Sequence, residues 1–170
     1  MTDQVKKDPA TAAAQQIITQ VINNWKAQNK AVTSFINKYE DSVYLKEVAA
    51  GRNRAVYIFG HLIAASDNLL PMFGLGEPLF PSFAEFFSKN PDRTFADIPT
   101  ISELRQSWET VNNTLAAHFN NMQIADWLSR HTKVSEEDFA ADPLRNKLNV
   151  LISRTIHEGY HLGQLILLKG

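Results

Sequence analysis

The chain has 170 residues, 44% of them apolar, with 17 Lys plus Arg against 18 Asp plus Glu and a formal net charge of -1. That suits one domain with a real hydrophobic core, and it gives no electrostatic reason to expect nucleic acid or an anionic membrane as a partner. There is no cysteine, which excludes disulfides, thiolate metal ligands and a cysteine nucleophile.

The start, MTDQVKKDPA, lacks the apolar core of a secretion signal, so a cytoplasmic location is expected. Residues 1–10 are expected to fray at the edge of a single domain spanning 1–170. A first helix is predicted from Thr11 to Tyr39, where Ile18, Val21, Trp25, Val32, Phe35 and Tyr39 recur at helical steps. A second is predicted from Asn53 to Leu70, opened after Gly51 and stopped by Pro71, with Ile58, Leu62, Ala65 and Leu69 as its stripe. Its run AVYIFGHLIAA is too short to span a bilayer and contains a histidine.

The link 71–99 holds five of the seven prolines and six of the ten phenylalanines. So aromatic a segment must pack on something, either to close one end of the fold or to cover a site. The expectation is that Phe80, Phe83, Phe86 and Phe87 wall a pocket around His61. The third helix opens on a capping box, Thr100 with Glu103, and carries Leu104, Trp108, Val111, Leu115, Phe119 and Met122. After a second link, Gln123 to Ala141, a fourth helix is predicted from the N-cap Asp142 and Pro143 to Lys169, about 26 residues or about 39 Å long. Thr155 and Gly159 in its stripe suggest a close neighbour. Four long amphipathic helices without strands predict an all-α fold, a four-helix bundle with a long connection between the second and third helices.

The fourth helix carries TIHEGYHLGQL. His157 and His161, four apart, share a helix face and can reach one ion together. As H-E-x-x-H this is the pattern of zinc proteases, but the nine residues after His161 contain no His, Asp or Glu to complete a downstream ligand set. That leaves an upstream third ligand open. His61, flanked by apolar residues on the second helix, is the best candidate; a buried histidine there needs a polar partner or a metal.

Two segments resemble the DinB/YfiT-like superfamily. GHLIAASDNLL resembles that family's helix with the first histidine, and HEGYHLGQL resembles its C-terminal H-x-x-x-H-x-G-Q. The order of the segments and the long second connection agree over nearly the whole chain. The tryptophan often found before the first-histidine helix is absent from GRNRAVYIF. The resemblance implies a four-helix bundle in which His61, His157 and His161 bind a divalent metal with an open position; imidazole ligands suit zinc and nickel alike. It also implies thiol-dependent transferase or isomerase chemistry with an external low-molecular-weight thiol.

Other residues are candidates for lesser roles. Glu158 would be the general base in a protease; here a carboxylate supporting the ligands or a solvated helix residue fits better. Gln164 is placed either to hydrogen-bond near the site or to tie helices, Tyr160 to pack or to reach the pocket, and Arg154 to hold an anionic group or form a surface ion pair. His118 and His131 are not expected to be ligands. The expected partners are a small-molecule substrate and a second copy of the chain in a homodimer. Three function classes follow: a metal-dependent thiol transferase or hydrolase, a non-catalytic metal-containing binding or stress-response module, and a helical interaction protein whose histidines staple two helices.

Overall fold

Asp8 starts the first helix by accepting a hydrogen bond from the Thr11 amide (3.3 Å), and Pro9 takes a first-turn position where its missing N–H costs nothing. The computed structural model describes residues 8–169. The expected fraying of residues 1–7 lies outside the described residues, whereas Pro9 and Ala10 are already helical. Helix α1 runs over Pro9–Ile36, ending before Tyr39. The buried Tyr44 of the short α2 (Asp41–Tyr44) explains the stop: its hydroxyl donates to the Phe35 carbonyl and accepts from the Tyr39 amide.

The second predicted helix is two. Helix α3 spans Ala55–Asp67, and α4, Leu69–Phe73, follows directly. Pro71 does not stop the chain, because it falls in the first turn of α4, where no intrahelical donor is required. Gly74, in the left-handed region at φ 69°, ends α4 instead. The link then forms α5 (Pro81–Ala84) and a π-helical turn, Glu85–Lys89.

Helix α6, Ile101–Asn121, begins at the expected capping box: the Glu103 amide donates to Thr100 Oγ1 (3.2 Å) and the Thr100 amide to Glu103 Oε2 (2.7 Å). Two short helices follow, α7 (Ile124–Trp127) and α8 (Glu136–Ala141). The last helix, α9, spans Lys147–Leu165 and not 142–169. Asp142 and Pro143 form a turn, with the Leu144 amide on Asp142 Oδ1. Asn146 is the true cap, extended and accepting from the Asn149 amide at 2.9 Å.

The fold is all-α, with no strand among the described residues. Among those residues no helix is long and apolar enough to cross a membrane. The four long helices close a ring of contacts: α1 packs on α9 and α6, and α3 packs on α6 and α9. Trp25, Phe59, Leu62, Leu104, Val111, Phe119 and Leu151 meet in the shared core. Each such burial contributes about 1.5–3 kcal/mol before entropy is charged against it.

The link lies along α3 like a strap. Buried Asp67, at the end of α3, accepts from the Leu79 and Phe80 amides, both at 2.8 Å. At the start of α3, Asp92 accepts from the Arg54 amide (2.8 Å) and pairs with its guanidinium (2.7 Å). Between them the Tyr57 hydroxyl donates to the Asn90 carbonyl at 2.7 Å. Midway, the fully buried Phe87 ring covers Gly60 so closely that a Cβ there would lie 2.5 Å from the ring. The neighbour expected at Gly159 is α1, at ordinary van der Waals distance: a Cβ there would meet Gln28 at 3.8 Å. The tight contact belongs to Gly60.

Candidate metal centre

Helix α3 brings His61 opposite His157 and His161 of α9. One ligand-capable atom from each of these half-buried imidazoles lies within 4.8 Å of the others. Nε2 of His157 stands 3.2 Å from Nε2 of His61 and 3.1 Å from Nε2 of His161. Two nitrogens on one ion at about 2.0–2.1 Å stand about 3.3–3.4 Å apart at the tetrahedral angle and about 2.9 Å apart at right angles. The observed spacing falls between these values.

The protons of two of the rings are committed elsewhere. His61 Nδ1 donates to the Phe87 carbonyl (2.9 Å), with Ser88 Oγ at 3.3 Å, and His161 Nδ1 donates to Gln164 Oε1 (2.7 Å). In their neutral forms both rings then present a bare Nε2 lone pair toward His157. His157 Nδ1 is buried without a partner among the described residues. Three converging imidazoles with two lone pairs held inward form the donor set a divalent cation requires.

Electrostatics favour the same state. Burial lowers the proton affinity of all three histidines. For His61 the Phe87 bond opposes that effect and Arg154 adds to it, and for His161 the Gln164 bond opposes it. Burial, together with His161, Arg154 and His61, brings His157 down to about 4. Neutral imidazole is the ligating form.

The other candidates fall around this cluster. Gln164 Nε2 donates to the Tyr160 hydroxyl (3.1 Å), and the Tyr160 ring meets His161 edge-on at 5.0 Å, so Tyr160, Gln164 and His161 form one chain of contacts. Glu158 is not solvated: it is 0% exposed, and both its oxygens lack hydrogen-bond partners among the described residues. Burial pushes its carboxyl up to about 8. Arg154, Ser66 and Trp25 oppose that rise, but neither Ser66 nor Trp25 reaches hydrogen-bond geometry with it. Arg154 forms no ion pair among the described residues, and its Nε is buried and unpartnered, so the surface ion pair is ruled out there. His118 and His131 stand outside the three-histidine group.

The expected aromatic wall is only partly realised. The link reaches His61 through a carbonyl and a hydroxyl. Phe87 turns its ring under Gly60, and Phe80 and Phe83 stack together at 5.1 Å beside Glu103, Ser107 and Thr110 of α6. The phenylalanines fix the strap, and the strap fixes the histidine. Asp67, Asp92 and Ser88 carry no mark in the sequence, and Gly60 carries one, a glycine directly before a helical histidine.

No protein-family model and no curated protein sequence matches the chain.

Proposed function

We propose that this protein is a metal-dependent enzyme built as a four-helix bundle of the DinB/YfiT-like kind. Its His61, His157 and His161 hold one zinc or nickel ion. The observation that carries this reading is the convergence of three imidazoles, with Nε2 of His61 and of His161 each 3.1–3.2 Å from Nε2 of His157, while two of the Nδ1 protons are spent on Phe87 and Gln164. A fourth His, Cys, Asp or Glu does not join the group among the described residues, which favours an open site over a closed structural one. A bound divalent ion would supply Lewis acidity, favouring the deprotonated form of a water or an external thiol.

The chain's own residues provide the rest. Phe87 and Gln164 hold two imidazoles in the ligating tautomer. The chain has no cysteine, so thiol chemistry requires a small-molecule cosubstrate. In the transferase form of the reaction, the thiolate sulfur attacks an electrophilic carbon, a C–S bond forms, and the leaving group departs with its electron pair. The alternative activity is hydrolysis of a small substrate, not peptide cleavage, because the third histidine of the group is His61 on α3 and not a residue placed as in the protease motif.

The test is turnover of zinc-loaded and nickel-loaded protein against glutathione or cysteine paired with a chromogenic aryl halide, and against small esters. The expected result is metal-dependent turnover of one pair, abolished in His61→Ala, with no cleavage of unfolded casein. Full metal loading without turnover of any pair would assign the chain to the non-catalytic binding class. Casein cleavage lost in Glu158→Gln would restore the protease reading.

A further inference from the structure

A cavity of about 420 Å³ shares His157 with the histidine cluster. Met72, His131, Arg145, Asn149, Val150 and Arg154 form most of its remaining wall, and none of its lining residues is Asp or Glu. Such a concentration of cations is notable in a chain of net charge -1. The wall is anchored: the Thr132 amide donates to the Met72 carbonyl (2.9 Å), the Thr132 hydroxyl to the Pro71 carbonyl (3.0 Å), and the Lys147 amide to the Ser129 carbonyl (3.1 Å).

Its two guanidinium groups are unequally matched. Arg145 already faces Asp138 at 3.6 Å. Arg154 has neither an ion pair nor a side-chain hydrogen bond among the described residues, and its Nε is buried. Glu158, one turn further along α9, influences Arg154 electrostatically without forming an ion pair with it. His131 Nδ1 accepts from the Lys133 amide (3.3 Å), which leaves its Nε2–H as a neutral donor. Asn149 lines the same cavity, and its side-chain amide makes no hydrogen bond among the described residues.

We propose that this cavity binds the carboxylate of a small organic acid, with Arg154 as countercation and His131 and Asn149 as neutral donors. One unmatched cation fits a single negative charge better than a phosphate dianion, and Met72 and Val150 offer apolar surface to the acid's carbon chain. The further consequence, that the acid is the substrate and its reacting end reaches the histidine cluster, rests on the metal-enzyme reading above.

Calorimetric titration of the purified protein with hexanoate, hexanamide and hexyl phosphate tests the assignment, repeated after chelation and with metal content measured on each sample. Hexanoate is expected to bind at least tenfold more tightly than hexanamide, with or without metal. Arg154→Gln is expected to weaken hexanoate at least tenfold and leave hexanamide unchanged. Ser153→Glu, at an exposed position of the wall, is expected to weaken hexanoate too, and it decides the matter alone if Arg154→Gln does not fold. Undetectable hexanoate binding at millimolar concentration, equal binding of the acid and its amide, or affinity unchanged in the folded variants overturns the proposal. Hexyl phosphate binding more than tenfold tighter than hexanoate overturns the choice of carboxylate. Arg154-dependent hexanoate binding in a protein that takes up no metal would leave the pocket standing and remove the metal reading; metal uptake without hexanoate binding would do the reverse.

Discussion

With Gln164 Oε1 2.7 Å from Nδ1 of His161, the neutral imidazole has one tautomer available, and its lone pair faces His157. The sequence shows the His157–His161 pair through helical spacing alone, because four residues make one turn. It does not show whether Gln164, three residues further on, would reach forward to another helix or back to its own histidine. That depends on a rotamer, and the rotamer depends on the Tyr160 hydroxyl that takes the other end of the amide. Glu158 is less legible still: its position next to His157 says nothing of burial, and only the packing of α1 and α3 over that face encloses it. Gln164→Ala is expected to lower metal affinity by about 10–100-fold while leaving the fold intact. Competition against a chromophoric chelator measures it, and an affinity equal to wild type would show that Gln164 does not orient the ring.

Among the elements, the strap over α3 positions the site. Its six phenylalanines announced that the segment must pack, but a composition cannot name the carbonyl that meets His61. Phe87 does so because its ring settles on Gly60, the one face of α3 without a side chain at that level. The two mid-helix glycines should therefore respond in opposite directions. Gly60→Ala forces the Phe87 ring and its carbonyl away, and is expected to cost about 1–3 kcal/mol and to weaken metal binding. Gly159→Ala finds ordinary contact with Gln28 and is expected to stabilise α9 by up to about 1 kcal/mol. Urea unfolding of the two variants checks both signs.

Asp92 ties the far end of the strap to the start of α3. Burial alone would raise its carboxyl, but the Arg54 guanidinium and amide more than offset this, so its proton affinity lies below the ordinary aspartate value. A group depressed in the folded state contributes stability above its unfolded pKa, about 3.9, and that contribution is lost as the pH falls through the folded value. Asp92→Ala is expected to cost about 3 kcal/mol near neutral pH, because it leaves Arg54 half-buried and unpaired. The loss relative to wild type should shrink as denaturation is followed below pH 4. A constant difference across that range would assign the effect to packing and not to charge.

At the scale of the molecule, the amphipathic stripes gave the all-helical class, because helical periodicity in long segments is a strong local signal. They misplaced the ends: the fourth helix starts at Lys147, since Asn146 competes with Asp142 for the cap and wins by adopting the extended backbone a cap needs. Pro71 misled in the same way, as its effect depends on which turn it enters. What no local pattern contains is the ring of contacts that sets α3 against α9 and brings His61 to a histidine pair almost a hundred residues away. Diffraction from crystals of zinc- or nickel-loaded protein, collected on both sides of the metal absorption edge, tests that convergence most directly. One anomalous peak per chain, bonded to Nε2 of His61, His157 and His161, is the expected result. A metal-loaded crystal with no peak among these nitrogens, or with a peak that leaves His61 out, would contradict it.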